Sequence, residues 1–254
     1  MQTFDTRFLV IGAGPAGVAV AKHGSRSVSS ICGSSDVLNV LGINIEIPPE
    51  EMEECLYEVG IAFLFAPKLK TSMIYAMGPR MEIGARTIFN ILGPLTNPAR
   101  TKRQLVGVYD IKLVRLMVEV LKELGAIQAM AVHGLEGIDE ISISGPTKVC
   151  ELVDSVIYEY NIRPENFKIT SAPLNTIQTF TTNNNKKMLM DVLRGKPSPA
   201  LDVVLLNAGA AIKVSGKVNS IYEGIQLARD SIQSGAALDK LNKLKEFTNR
   251  LNMK

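Results

Sequence analysis

The chain alternates short apolar runs with helix-spaced stretches, and that alternation confines it to an α/β architecture. The strongest single run is Ile61-Ala62-Phe63-Leu64-Phe65. Five consecutive apolar residues leave no polar face, so this strand is expected to be covered on both sides. It follows Gly60, which stops a helix opening at Pro48-Pro49-Glu50-Glu51, with proline and acid in the first turn. Lys112–Leu124 places Val114, Met117, Val118, Leu121 and Leu124 at helical spacing, and Gly125 closes it. Ile127–Val132 then predicts a strand running into His133-Gly134, and Phe8–Ala13 and Gln104–Tyr109 predict two more. Ser34-Ser35-Asp36 caps a short helix over Val37–Leu41, ended by Gly42. After Glu140 the texture changes. Ile141–Ser144, Lys148–Val153 and Val156–Tyr160 predict successive strands, and Asn183–Lys187 a polar helix start. A mostly apolar helix follows over Ser198–Val214, then amphipathic ones near Ser220–Gln233 and Leu238–Leu251.

Composition excludes several classes. The 254 residues carry 28 basic and 25 acidic side chains, a net charge of +3, too small to argue for nucleic acid. Cys32, Cys55 and Cys150 are far apart and form no Cys-x-x-Cys pair, which reads as a reducing, cytoplasmic setting. The longest apolar run, Phe8 to Ala21, is 14 residues and glycine-rich, too short to span a bilayer, so no membrane partner is expected.

One motif points to a dinucleotide. Val10-Ile11-Gly12-Ala13-Gly14-Pro15-Ala16-Gly17 follows a strand-like run, as in FAD- or NAD-binding oxidoreductases. The context departs from that fold. Lys22-His23-Gly24 cuts the next helix short, Ser25–Ser35 is hydroxyl-rich rather than strand-like, and Asp36 falls at a helix start. The competing reading is a close turn packed beside a strand.

Three other segments carry anion and metal chemistry. Lys22-His23-Gly24-Ser25-Arg26-Ser27-Val28-Ser29-Ser30 gathers two cations, four hydroxyls and a glycine. Such a loop offers the charges and donors that a phosphate or diphosphate needs, although the same composition also describes a solvated basic loop. Gly33-Ser34-Ser35-Asp36 then opens a helix, whose N-terminus favours anions. Asp139-Glu140 offers adjacent oxygen donors that suit Mg²⁺, although an Asp-Glu pair is also common in solvated turns. Gly78-Pro79-Arg80 and Arg86 precede the Asn90–Pro98 turn, and an arginine in a cleft can clamp a carboxylate.

In order and spacing, these segments resemble the anthranilate phosphoribosyltransferase family. The resemblance rests on Lys22-His23-Gly24-x-Arg26-Ser27-Val28-Ser29-Ser30, Gly33-Ser34-x-Asp36-Val37-Leu38 and Phe63-Leu64-Phe65-Ala66. Gly84-x-Arg86-Thr87-Ile88-Phe89-Asn90-Ile91-Leu92-Gly93-Pro94-Leu95-Thr96-Asn97-Pro98 and His133-Gly134-x-x-Gly137-x-Asp139-Glu140 complete it. It runs from about Val18 to the C-terminus.

The resemblance implies transfer of a phosphoribosyl group from 5-phosphoribosyl 1-diphosphate to anthranilate, in tryptophan biosynthesis. It implies a nucleoside phosphorylase-like α/β domain with a central sheet and surrounding helices, here residues 22–254. Residues 1–21 form a divergent N-terminal segment. Lys22, His23, Gly24, Ser25, Arg26, Ser27, Val28, Ser29, Ser30 and Ser34 would bind substrate. Arg80 would face anthranilate's carboxylate, His23 and Pro94 would line the aromatic channel, and Asp139 and Glu140 would ligate Mg²⁺. No general base is implied.

The chain also departs from the family. Ser25 stands where the family has asparagine, and Lys70 where a channel histidine is common. The upstream Gly-Thr-Gly-Gly-Asp and Asn-x-Ser-Thr segments are not found, with Thr3-Phe4-Asp5-Thr6 as a degraded remnant of the second. The expectation is therefore a truncated or replaced N-terminus. Most of the small helical domain would then be missing, and with it the usual homodimer contact, so the alternative to a transferase is a catalytically impaired remnant that binds phosphoribosyl diphosphate.

Overall fold

The computed structural model describes residues 18–24, 34–69, 89–179 and 181–250. Strand β1 (Val20–Gly24) pairs in parallel with β2 (Ile61–Phe65), in a register that sets Lys22 beside Phe63 and His23 beside Leu64. Between them lie α1 (Ser34–Val40) and α2 (Pro49–Val59). Helix α2 buries Met52, Cys55 and Val59, one stripe at helical spacing. It ends at Gly60, whose φ of 78° closes the turn through an N–H bond to the Leu56 carbonyl. All five residues of β2 are buried, as the unbroken apolar run predicts. A short turn, α3 (Ala66–Leu69), follows it.

After α4 (Phe89–Leu95) the chain builds a mixed sheet in the order β3-β4-β5-β6. Strand β3 (Arg103–Gly107) leads through α5 (Leu113–Glu123) to β4 (Gln128–Gly134), and the two strands are parallel. Strands β5 (Thr147–Val153) and β6 (Val156–Ile162) then add antiparallel to β4. Four helices finish the described chain: α6 (Thr182–Leu193), α7 (Pro199–Val214), α8 (Ile221–Gln233) and α9 (Ala236–Asn249).

Strand β4 separates two apolar layers. Met130 and Val132 face the large core that also takes in β2 and α6–α9. Ala129 and Ala131 face a smaller core with α5, alongside Cys150 and Leu152 of β5. Alternation along a pleated strand produces this division, and helices cover both faces. Helices α7 and α8 cross very closely. A β-carbon on Gly224 would stand 2.2 Å from the Gly209 carbonyl oxygen, so only glycines fit that crossing. Among the described residues no helix is long and apolar enough to cross a membrane.

Two expectations are corrected. Lys22, His23 and Gly24 end strand β1 rather than opening a loop. Ile141–Ser144 forms no strand. Its backbone bonds to side chains instead: Ile141 N–H donates to Asn207 Oδ1, and Ser142 N–H to Thr147 Oγ1 at 2.8 Å. Such bonds replace a strand ladder. The expected Phe8–Ala13 strand and the Gly12–Gly17 turn lie outside the described residues.

Candidate functional site

Two groups of candidate residues lie near the carboxyl ends of parallel strands, the region where ligands bind in open α/β sheets: one at the end of β1, the other in the loop after β4. Lys22, His23 and Gly24 form the end of β1. His23 Nδ1 lies 3.2 Å from the Gly93 carbonyl oxygen, which can only accept, so Nδ1 carries the proton of that bond. Pro94 is the next residue, so the structure brings His23 and Pro94 to one corner.

That corner is braced from two directions. Asn97 Nδ2 donates to the Ala21 carbonyl of β1 at 3.2 Å, and Gln104 Nε2 of β3 donates to the Pro94 carbonyl at 2.6 Å. The Gly93–Asn97 segment, the end of α4 and the residues just after it, therefore ties both sheets together. Gly93 and Pro94, in the last turn of α4, contribute backbone carbonyls, and Asn97 just beyond the helix contributes its side chain.

The acidic pair stands at the end of the other parallel strands. The chain leaves β4 at Gly134 and turns through Gly137, whose φ is 96°. Gly137 N–H donates to the Gly134 carbonyl at 2.8 Å, and Gly134 N–H to the Ile138 carbonyl at 2.9 Å. The turn delivers Asp139 half-buried and Glu140 buried. His133, also buried, lies with Nδ1 2.8 Å from the Val108 carbonyl oxygen and joins the ends of β3 and β4. Asp139 and Glu140 present hard oxygen donors only. Among the described residues no group of three or more His, Cys, Asp or Glu gathers for a metal. A pair of carboxylates, with no thiolate or imidazole among the donors, suits Mg²⁺ better than zinc.

Ser34 opens α1. Ser25, Arg26, Ser27, Val28, Ser29, Ser30, Lys70 and Arg80 lie outside the described residues. Three residues around the acidic pair were not singled out from the sequence. Gly107 ends β3 directly against the Asp139 backbone. Glu136 accepts hydrogen bonds from the Ser142 and Ser144 hydroxyls. Asn207, wholly buried on α7, bonds to Ile141. The available signal for Asn207 was a lone amide inside an apolar helix, because a buried polar group needs partners.

The model of the glycosyl transferase family, a/b domain, matches residues 6–238, a span that includes the glycine-rich stretch Gly12–Gly17. The anthranilate phosphoribosyltransferase of Nitrosomonas europaea is 48% identical over 240 residues, covering 94% of this chain and 70% of that protein. Its counterpart from Symbiobacterium thermophilum is 49% identical, covering 96% and 71%. The crystal structure of anthranilate phosphoribosyltransferase from Thermus thermophilus superposes with a TM-score of 0.89 at 38% identity, over 96% of this chain and 72% of that one. The Saccharomyces cerevisiae enzyme in complex with PRPP and Mg gives 0.86 at 25% identity, over 98% and 70%. By matched length, identity and fold, the chain belongs to the anthranilate phosphoribosyltransferase family.

Proposed function

We propose that the chain transfers the phosphoribosyl group of 5-phosphoribosyl 1-diphosphate to the amine of anthranilate. The products are N-(5-phosphoribosyl)anthranilate and diphosphate, in tryptophan biosynthesis and in the cytoplasm. The observation that carries this reading is the near full-length match of this chain to enzymes of that name. The position of Lys22 and His23 at the end of β1, and of Asp139 and Glu140 in the loop after β4, supports it.

In this reading, Lys22, Arg26 and the hydroxyls of Ser27, Ser29 and Ser30 hold the phosphoribosyl diphosphate, with Ser34 adding a contact. Gly24, Ser25 and Val28 complete that stretch. Arg80 pairs with the anthranilate carboxylate, and His23 and Pro94 flank the ring. The Gly93 bond fixes the orientation of the His23 imidazole, so the ring meets a preset wall. Asp139 and Glu140 would hold Mg²⁺, which when bound neutralises charge on the diphosphate.

The C1–O bond to diphosphate breaks, the C1–N bond to the amine forms, and the amine gives up one proton. Charge builds on the leaving diphosphate, and cationic groups such as Lys22 at the end of β1 would stabilise it. An aromatic amine attacks without prior deprotonation, so holding the two substrates in line carries much of the rate. No residue is assigned as a general base.

Purified chain mixed with anthranilate, 5-phosphoribosyl 1-diphosphate and Mg²⁺ should consume anthranilate fluorescence and release diphosphate in equal amounts. Absence of turnover together with absence of phosphoribosyl diphosphate binding would overturn the reading.

A further inference from the structure

Asn207 lies on α7, far in sequence from the acidic pair, and is 0% exposed. Its Oδ1 accepts from Ile141 N–H at 2.9 Å, and its Nδ2 donates to the Ile141 carbonyl at 2.9 Å. Nδ2 also donates to the Val203 carbonyl at 2.9 Å, one turn earlier on the same helix. That bond anchors the amide to α7, so it cannot swing with the loop.

These bonds hold both peptide planes that flank Ile141. The first of those planes begins at Glu140, so fixing it fixes the direction in which Glu140 leaves the backbone. On the other side, the Asp139 backbone packs against Gly107 of β3 with no room for a β-carbon. The Asp139-Glu140 dipeptide is therefore held between the end of a strand and a buried helix. A core amide satisfied within its own helix would stabilise α7 alone. This one spends two of its bonds on the loop that carries the carboxylates.

We propose that Asn207 is the positioning residue of the Asp139–Glu140 pair and sets how tightly those carboxylates hold a divalent cation. The inference rests on the reading of Asp139 and Glu140 given above. Outer partners that orient a metal's ligands typically change its affinity by about 10–100-fold when removed.

The test uses the full chain with 5-phosphoribosyl 1-diphosphate, Mn²⁺ binding by electron paramagnetic resonance, and Mg²⁺ binding by calorimetry. Asn207→Leu keeps the volume and removes every bond. Asn207→Asp keeps an acceptor for Ile141 N–H and serves if the first variant does not fold. The expected result is weakening of Mn²⁺ and Mg²⁺ binding by at least about 10-fold for Asn207→Leu. Faster amide exchange at Ile141 should accompany it, with phosphoribosyl diphosphate binding in the absence of metal unchanged. Asn207→Asp should lose less affinity than Asn207→Leu. A folded variant with a lowered melting temperature but unaltered cation affinity would overturn the proposal and leave Asn207 a packing residue. The doubly substituted Asp139→Asn, Glu140→Gln chain separates the two readings. If it too binds Mn²⁺ as the parent does, the assignment of the acidic pair falls and this proposal with it. If it loses binding while the Asn207 variants do not, this proposal alone falls.

Discussion

A β-carbon on Gly107 would stand 1.6 Å from the carbonyl oxygen of Asp139, so the end of β3 and the acidic loop are in direct backbone contact. No side-chain rotation relieves a clash with backbone. Gly107→Ala is therefore expected to push the loop away and to cost about 1–3 kcal/mol of stability. Denaturant titration measures the stability loss. A raised Mg²⁺ requirement in the anthranilate assay is expected alongside it, and an alanine variant equal to the parent in both would refute the packing argument.

Asp139→Asn combined with Glu140→Gln keeps the shape of the pair and removes both charges. Turnover at limiting Mg²⁺ is expected to fall by at least an order of magnitude, because the oxygen donors lose the charge that holds a hard cation. The check is a rate series over Mg²⁺ concentration. An unchanged midpoint would remove both residues from the site.

Lys213 of α7 reaches Glu151 of β5 with Nζ 2.5 and 2.6 Å from its two carboxylate oxygens, while Tyr160 donates to the same carboxylate at 2.8 Å. Glu151 is buried, with 3% of its surface exposed. Lys213→Met would strand that carboxylate in the interior and cost about 3–5 kcal/mol. Glu151→Gln added to Lys213→Met removes the stranded charge yet keeps an acceptor for Tyr160, so it should recover much of the loss. Denaturant midpoints of the two variants decide this. Equal midpoints would show that the charge carries no penalty.

Glu159 accepts from Lys148 at 2.8 Å and from Arg115 at 2.7 Å, and these two bonds hold its carboxyl below the ordinary value of 4.5. A lowered folded value means stability present above 4.5 and lost as pH falls through the folded value. The parent should therefore melt above Glu159→Gln at pH near 7, and the difference should vanish as acid protonates the carboxyl. Salt should shrink it too, since the pair faces solvent. Melting curves at neutral and acid pH, with and without salt, are the measurement, and a gap that grows in acid would contradict the sign.

Legibility in the sequence followed local physics. Ile61–Phe65 and the Pro49–Gly60 helix were readable because apolar continuity, an N-terminal proline and a C-terminal glycine all act within a few residues. The motif residues His23, Pro94, Asp139 and Glu140 were readable as a pattern; His23 lies in the last residues of β1, Pro94 inside α4, and Asp139 and Glu140 in the loop that follows β4. Ile141–Ser144 was misread because its alternation of isoleucine and serine satisfies a strand template, while its partners are Thr147 and the distant Asn207. Lys22–Gly24 looked like a loop because polar residues end a strand whose pairing with Phe63–Phe65 is non-local. Gly107 gave no signal for the same reason, and Asn207 only that of a lone amide in an apolar helix, with no hint of its partner. Each has a role only through a contact made elsewhere in the chain.

The two strand systems also differ in how far the chain must travel to close them. Strands β4, β5 and β6 follow one another as a meander, each pairing with its successor. Strand β1 must instead find β2 across residues 25–60. Closing a longer loop costs more chain entropy before any contact repays it, so local pairings form ahead of distant ones. The meander is therefore expected to form first, whereas the β1–β2 pairing at the basic strand end and the Asn207 bonds that hold the acidic loop both wait for distant parts of the chain. In kinetic terms, both halves of the candidate site are expected to be completed after the β4–β6 meander.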